Sequence, residues 1–177
     1  MATNSGLKSL FVTDLTDTRT AAQGDVEGVG SIRFDNDGKV YRWVKNNEAY
    51  ALAVGVPVVH EWADTTTALQ KVSVALTANL GFLAGVCISA IPTLGFGWIQ
   101  IQGYNAACYV SGETETTTYA AGYYLKAVNA TGTAMSTAYM TNDAATQPSY
   151  KRNIQMQAVL STGTVSTARP VRINCFD

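Results

Sequence analysis

One histidine, three cysteines and a few close pairs of carboxylates are the residues of this 177-residue chain whose types suit catalysis or metal binding. General acid–base or nucleophilic chemistry needs convergent polar groups, most often including histidine. His60 stands between Val59 and Glu61 with no cysteine or second histidine near it in sequence, so it reads as a histidine at the end of a strand. Cys87, Cys108 and Cys175 are odd in number and widely spaced, and none belongs to a CxxC pair. They are expected to be free thiols in a reducing cytoplasm, packed as small apolar groups. A zinc site requires three or four clustered ligands, so no metal and no cofactor is expected. Asp14 and Asp17, Asp35 and Asp37, and Glu113 and Glu115 lie close enough to pair, yet such residues are mostly solvated turn residues. The run Asp35-Asn36-Asp37-Gly38 lacks the further ligands of a calcium loop, and Gly28-Val29-Gly30 lacks the third glycine and the helix of a phosphate loop. An enzyme is not expected.

The aromatic residues carry a second kind of chemistry. Trp98, Tyr104, Tyr109, Tyr119, Tyr123 and Tyr124, with Gln100 and Gln102 nearby, suit a sugar-binding surface, where flat rings meet apolar sugar faces and amides supply hydrogen bonds. Aromatic residues in strands also build cores and subunit interfaces, so this composition leaves two readings open.

Charge and hydropathy exclude other classes. The formal net charge is −1, and the basic residues form only a small late group at Lys151, Arg152, Arg169 and Arg172, whereas a polyanion calls for a concentrated basic stripe. Nucleic acid is not an expected partner. The most apolar stretch, Leu80 to Ile91, is interrupted by Gly81 and Gly85 and stopped by Pro92, short of the ~20 residues of a bilayer helix. No membrane span and no signal peptide are expected, and the glycosylation pattern at Asn129 is a chance match. Between Val72 and Gly112 there is no Asp, Glu, Lys, Arg or His. Such a stretch implies strands covered on both faces or lying against another subunit, and its Phe82, Ile88, Ile91, Leu94, Phe96 and Trp98 favour a subunit contact.

The elements that must position these residues are short strands. Residues 1–25 are polar and Thr-rich with one apolar cluster at Leu7, Leu10, Phe11 and Val12, the pattern of an N-terminal arm that orders by lying on its own barrel or on a neighbour. Residues 26–177 are expected to form a single β-rich domain. Ser31 to Phe34 alternates, Asp35 to Gly38 turns and Lys39 to Lys45 returns, which predicts a β-hairpin with Gly38 in the left-handed conformation. Pro57 places the strand near Val58 at an edge or a bulge. Val72, Val74 and Leu76 share a face, and a short helix after Asp64 is the one helix the sequence allows. Gly97 to Tyr104 predicts the clearest strand, with Ile99 and Ile101 on one face and Trp98, Gln100 and Gln102 on the other. Further strands are expected at Tyr119 to Lys126 and Ile154 to Leu160, with turns at Gly132 and Gly163, and Val171 to Phe176 alternates to the end. The expected class is all-β, a compact β-barrel or jelly-roll-like sandwich of antiparallel hairpins with an extended N-terminal arm.

Gly38 to Asn46, Gly95 to Gly103, Ala120 to Leu125 and the β-rich close together resemble tailed-phage capsid cement or head decoration proteins, over roughly residues 28–176. The resemblance implies a structural virion protein, trimeric by preference. It would be made in the host cytoplasm and bind the major capsid protein on the capsid exterior, more strongly on the expanded shell than on its precursor. Leu7, Leu10, Phe11 and Trp98 are the candidate partner contacts. The alternative is a receptor- or glycan-binding domain of a tail fibre or spike. A chain opening on its own Met1 is expected of a cement protein more than of a fibre tip.

Overall fold

The structure is a computed structural model that describes residues 11–60, 71–73, 83–110, 124–127, 140–142, 154–156 and 167–175. The fold is all-β. Among the described residues eleven strands pair in one sheet: β1 (Thr18–Arg19), β2 (Ile32–Phe34), β3 (Val40–Asn46), β4 (Pro57–His60), β5 (Lys71–Ser73), β6 (Leu83–Cys87), β7 (Phe96–Val110), β8 (Tyr124–Ala127), β9 (Met140–Asn142), β10 (Ile154–Met156) and β11 (Thr167–Asn174).

The pairings close into two circuits that share β7. One runs β7-β6-β4-β5-β3 and back to β7, and the other runs β7-β9-β8-β10-β11 and back to β7. A ring with an odd number of strands cannot alternate direction all the way round, so one neighbouring pair must be parallel. The parallel pairs are β3 with β5 in the first circuit and β7 with β9 in the second. Within the two circuits each strand has a neighbour on both sides, which leaves β1 and β2 as the edge strands among the described residues. β3 pairs with β7 from Phe96 to Gln102, and β11 pairs with it from Gln102 to Val110.

Local sequence explains the main elements. The hairpin of β2 and β3 turns through Asp35 to Gly38, with Gly38 at φ +79° and the Asp35 amide donating to the Lys39 carbonyl. The Asp35 and Asp37 carboxylates accept from the amides of Asn36 and Lys39, and Asp37 also pairs with the Lys39 ammonium. The turn reading of this acidic run is therefore the one the chain adopts. Pro57 opens β4, a strand-start position that a proline accepts, and the β4–β6 register shifts just after it, between Val58 and Val59.

Among the described residues two clusters form the core. Val44, Leu52, Val58, Val72, Val86, Ile91, Ile99, Ile101, Val171 and Ile173 belong to an aliphatic one. Tyr41, Trp43, Phe96 and Trp98 form an aromatic one on the opposite face of β3 and β7. This explains the uncharged stretch. Leu83 to Cys87 and Phe96 to Ile101 are buried within the chain itself, so for these residues covering by their own fold replaces the expected subunit contact. The short helix after Asp64 and the turns at Gly132 and Gly163 lie outside the described residues.

Candidate functional site

The residues with catalytic chemistry are built into the frame. His60 ends β4 and is buried, and its Nε2 lies 3.4 Å from Nη1 of Arg42. All three cysteines are buried free thiols. Burial pushes the Cys87 thiol up to about 12, and burial together with the nearby Cys87 pushes Cys108 upward as well. A nucleophilic cysteine needs the opposite displacement. The Asp14 amide donates to Oδ2 of Asp17 across 3.0 Å, a local turn, while Glu113 and Glu115 lie outside the described residues. Among the described residues no cluster of three or more His, Cys, Asp or Glu is placed to hold a metal ion. Among them, too, no helix is long and apolar enough to cross a membrane.

Of the candidate partner contacts, Leu7 and Leu10 lie outside the described residues. Phe11 meets Trp98 edge-on, with ring centroids 5.5 Å apart, and Arg33 sits over the Phe11 ring at 5.5 Å. Trp98 has no exposed surface. Its ring packs on Trp43 at 5.2 Å, and its indole N–H donates to the Thr13 hydroxyl at 3.0 Å. As an exposed contact Trp98 is therefore corrected: the side chain is a core group, because residues 11–29 fold back over it.

That covering segment is held by polar groups. Glu27 accepts from both the amide and the hydroxyl of Thr13, and Arg33 donates to the Thr13 carbonyl. The Asp25 carboxylate accepts from the amides of Gly28 and Val29 and from the Trp43 indole. β1 then pairs with the start of β7 through Thr18 and Arg19. The described part of the N-terminal region lies on its own sheet.

Further along β7 the covering stops. After Gln100 the β3–β7 register shifts at a bulge, and Gln102 and Tyr104 follow it. Gln100 is buried, whereas Gln102 is exposed and Tyr104 is 50% exposed. The Gln100 amide donates to the carbonyls of Gln102 and Tyr104, both at 3.0 Å, and accepts from Asn105. These bonds fix a kink at Gly103, whose φ is +98°. β11 brings Arg172 directly opposite Tyr104 and Asn174 opposite Gln102, and both are exposed. A hollow of about 150 Å³ lies here, lined by Gly38, Gln102, Gly103, Arg172, Ile173 and Asn174.

The sequence pointed to Tyr104 and Gln102 as surface chemistry but missed Arg172 and Asn174. Their signal was the terminal alternation, which sets both on one face. Which strand they oppose is a long-range register that alternation does not encode. The chain matches no family model, no curated protein and no solved structure.

Proposed function

We propose that this chain is a structural virion protein that binds the outer surface of a phage capsid and stabilises the shell as a cement or decoration protein. The observation that carries the reading is where the reactive side chains go. The thiols, His60 and the indoles of Trp43 and Trp98 are spent on packing and on tying segments together, within strand circuits that close on a common strand. Such a frame suits a protein whose work is to hold its shape under load. The resemblance of residues 28–176 to capsid decoration proteins supplies the partner, the major capsid protein, and the trimeric state. Shell stabilisation needs no turnover, only stronger binding to one state of the shell than to the other.

The test mixes the purified full chain, its mass determined by light scattering, with expanded phage shells stripped of minor proteins and with unexpanded precursors. Saturable co-sedimentation of a trimer with the expanded shells is expected. A chain that leaves both kinds of shell unbound overturns the reading. The second reading, a receptor- or glycan-binding domain of a tail fibre or spike, is favoured by the exposure of Tyr104 beside Gln102.

A further inference from the structure

We propose that the hollow where β7 passes from β3 to β11 is a binding site for a sugar that carries a carboxylate. Its shape comes from the backbone. At Gly103 a side chain is disfavoured: φ is +98°, and an added Cβ would lie 3.0 Å from Cγ of Lys39 and 3.1 Å from the Gly38 carbonyl oxygen. Gly103 therefore gives the lining only main chain, and the Gln100 carboxamide bonds the carbonyls on either side of it.

Register sets the side chains of the hollow, Gln102, Arg172 and Asn174, and the neighbouring Tyr104. Arg172 stands opposite Tyr104 and Asn174 opposite Gln102, so one guanidinium, one phenol ring and two carboxamides share an outward face. Among the described residues none of the side-chain polar atoms of Arg172, Asn174 and Gln102 has a protein partner, and none of the three residues is buried. Their hydrogen-bonding capacity is turned outward together.

Each group matches one part of an acidic sugar. A guanidinium presents a planar fork of donors that fits a carboxylate with two parallel bonds. A carboxamide both donates and accepts, as a sugar hydroxyl does, so Gln102 and Asn174 suit a vicinal diol. The Tyr104 ring, half exposed on the same face, offers an apolar plane to the C–H face of a pyranose. About 150 Å³ is small beside the ~300–1,000 Å³ of pockets that swallow a whole drug-sized ligand. The site therefore engages a single sugar ring at the surface and leaves its neighbours in solvent.

The site is independent of the capsid reading, because shell binding and sugar binding are measured separately and either can fail alone. The test titrates the ¹⁵N-labelled full chain with D-glucuronate, D-glucose and acetate and follows the backbone amides. Saturable shifts at residues 102–104 and 172–174 with glucuronate are expected, with glucose and acetate each weaker by about tenfold or more, the loss of one charged hydrogen-bonded pair. Arg172→Gln should reduce glucuronate binding to the level of glucose and leave glucose unchanged. Tyr104→Ala should weaken both sugars. No saturable shift with glucuronate overturns the proposal. Acetate binding as well as glucuronate would reduce the site to an anion contact, and glucose binding as well as glucuronate would remove the carboxylate from it; either result also overturns the proposal.

Discussion

The two halves of β7 share a strand and differ in what lies on their outer face. From Phe96 to Gln100 the face is closed: residues 11–29 lie across Trp43 and Trp98, and the indoles donate into Thr13 and Asp25. From Gln102 to Tyr104 the face is open and polar, with Arg172 and Asn174 beside it. The inner faces do not differ in this way, since Ile99 and Ile101 from the first half and Val171 and Ile173 opposite the second all enter the aliphatic cluster. Burial inside is thus continuous, while the outside is divided between a stretch used for stability and a stretch left free for contact. The division falls where β7 kinks, where its pairing with β3 ends and its pairing with β11 begins. A strand with one continuous partner would have no reason to change the character of its outer face midway.

The contrast breaks most sharply at Trp98. Truncating a fully buried tryptophan removes its contacts with Phe11 and Trp43 and the donor that holds Thr13. Trp98→Ala is expected to cost about 3–5 kcal/mol, read as a lower urea midpoint. A loss below ~1 kcal/mol would mean that the covering segment contributes little and that the two halves are alike. Thr13→Val is a finer probe, because it keeps the volume and removes only the hydroxyl. That hydroxyl accepts from the Trp98 indole and donates to Glu27 at 2.6 Å, so the substitution leaves a buried N–H without its acceptor. A cost of about 1–3 kcal/mol is expected, together with faster hydrogen exchange of the indole N–H. Unchanged exchange would show that water replaces the hydroxyl without penalty.

These substitutions also show where sequence reasoning reached its limit. The alternation of Ile99 and Ile101 against Trp98 and Gln100 was legible, because strand periodicity depends on neighbours two residues apart. So was the hairpin at Gly38, whose turn chemistry is local. The uncharged stretch was legible as something covered, but what covers it was not. Thr13 reaches Trp98 across 85 positions of sequence and Asp25 reaches Trp43 across 18, and no periodicity reports such pairs. For this reason Trp98, read as a contact, proved to be core. The exposed site was half legible for the same reason: Tyr104 and Gln102 stood out by type, while Arg172 and Asn174 joined them only through the β7–β11 register.

Arg172→Gln carries the smallest expected effect on stability and sharpens the comparison from its open side. The side chain is exposed, it makes no core contact, and β11 keeps its ladder whichever residue stands there, since strand pairing is made by backbone groups. Exposed substitutions away from caps, turns and networks usually stay within about 0.5 kcal/mol, and the urea midpoint should move by no more than that. A larger loss would show that Arg172 ties the open half together as Asp25 and Thr13 tie the closed one, and the division along β7 would then be one of chemistry but not of purpose. A neutral result leaves the guanidinium with no structural duty at the place where the hollow lies. A side chain that the fold does not use, set opposite an exposed tyrosine, is where a function in binding should be looked for first.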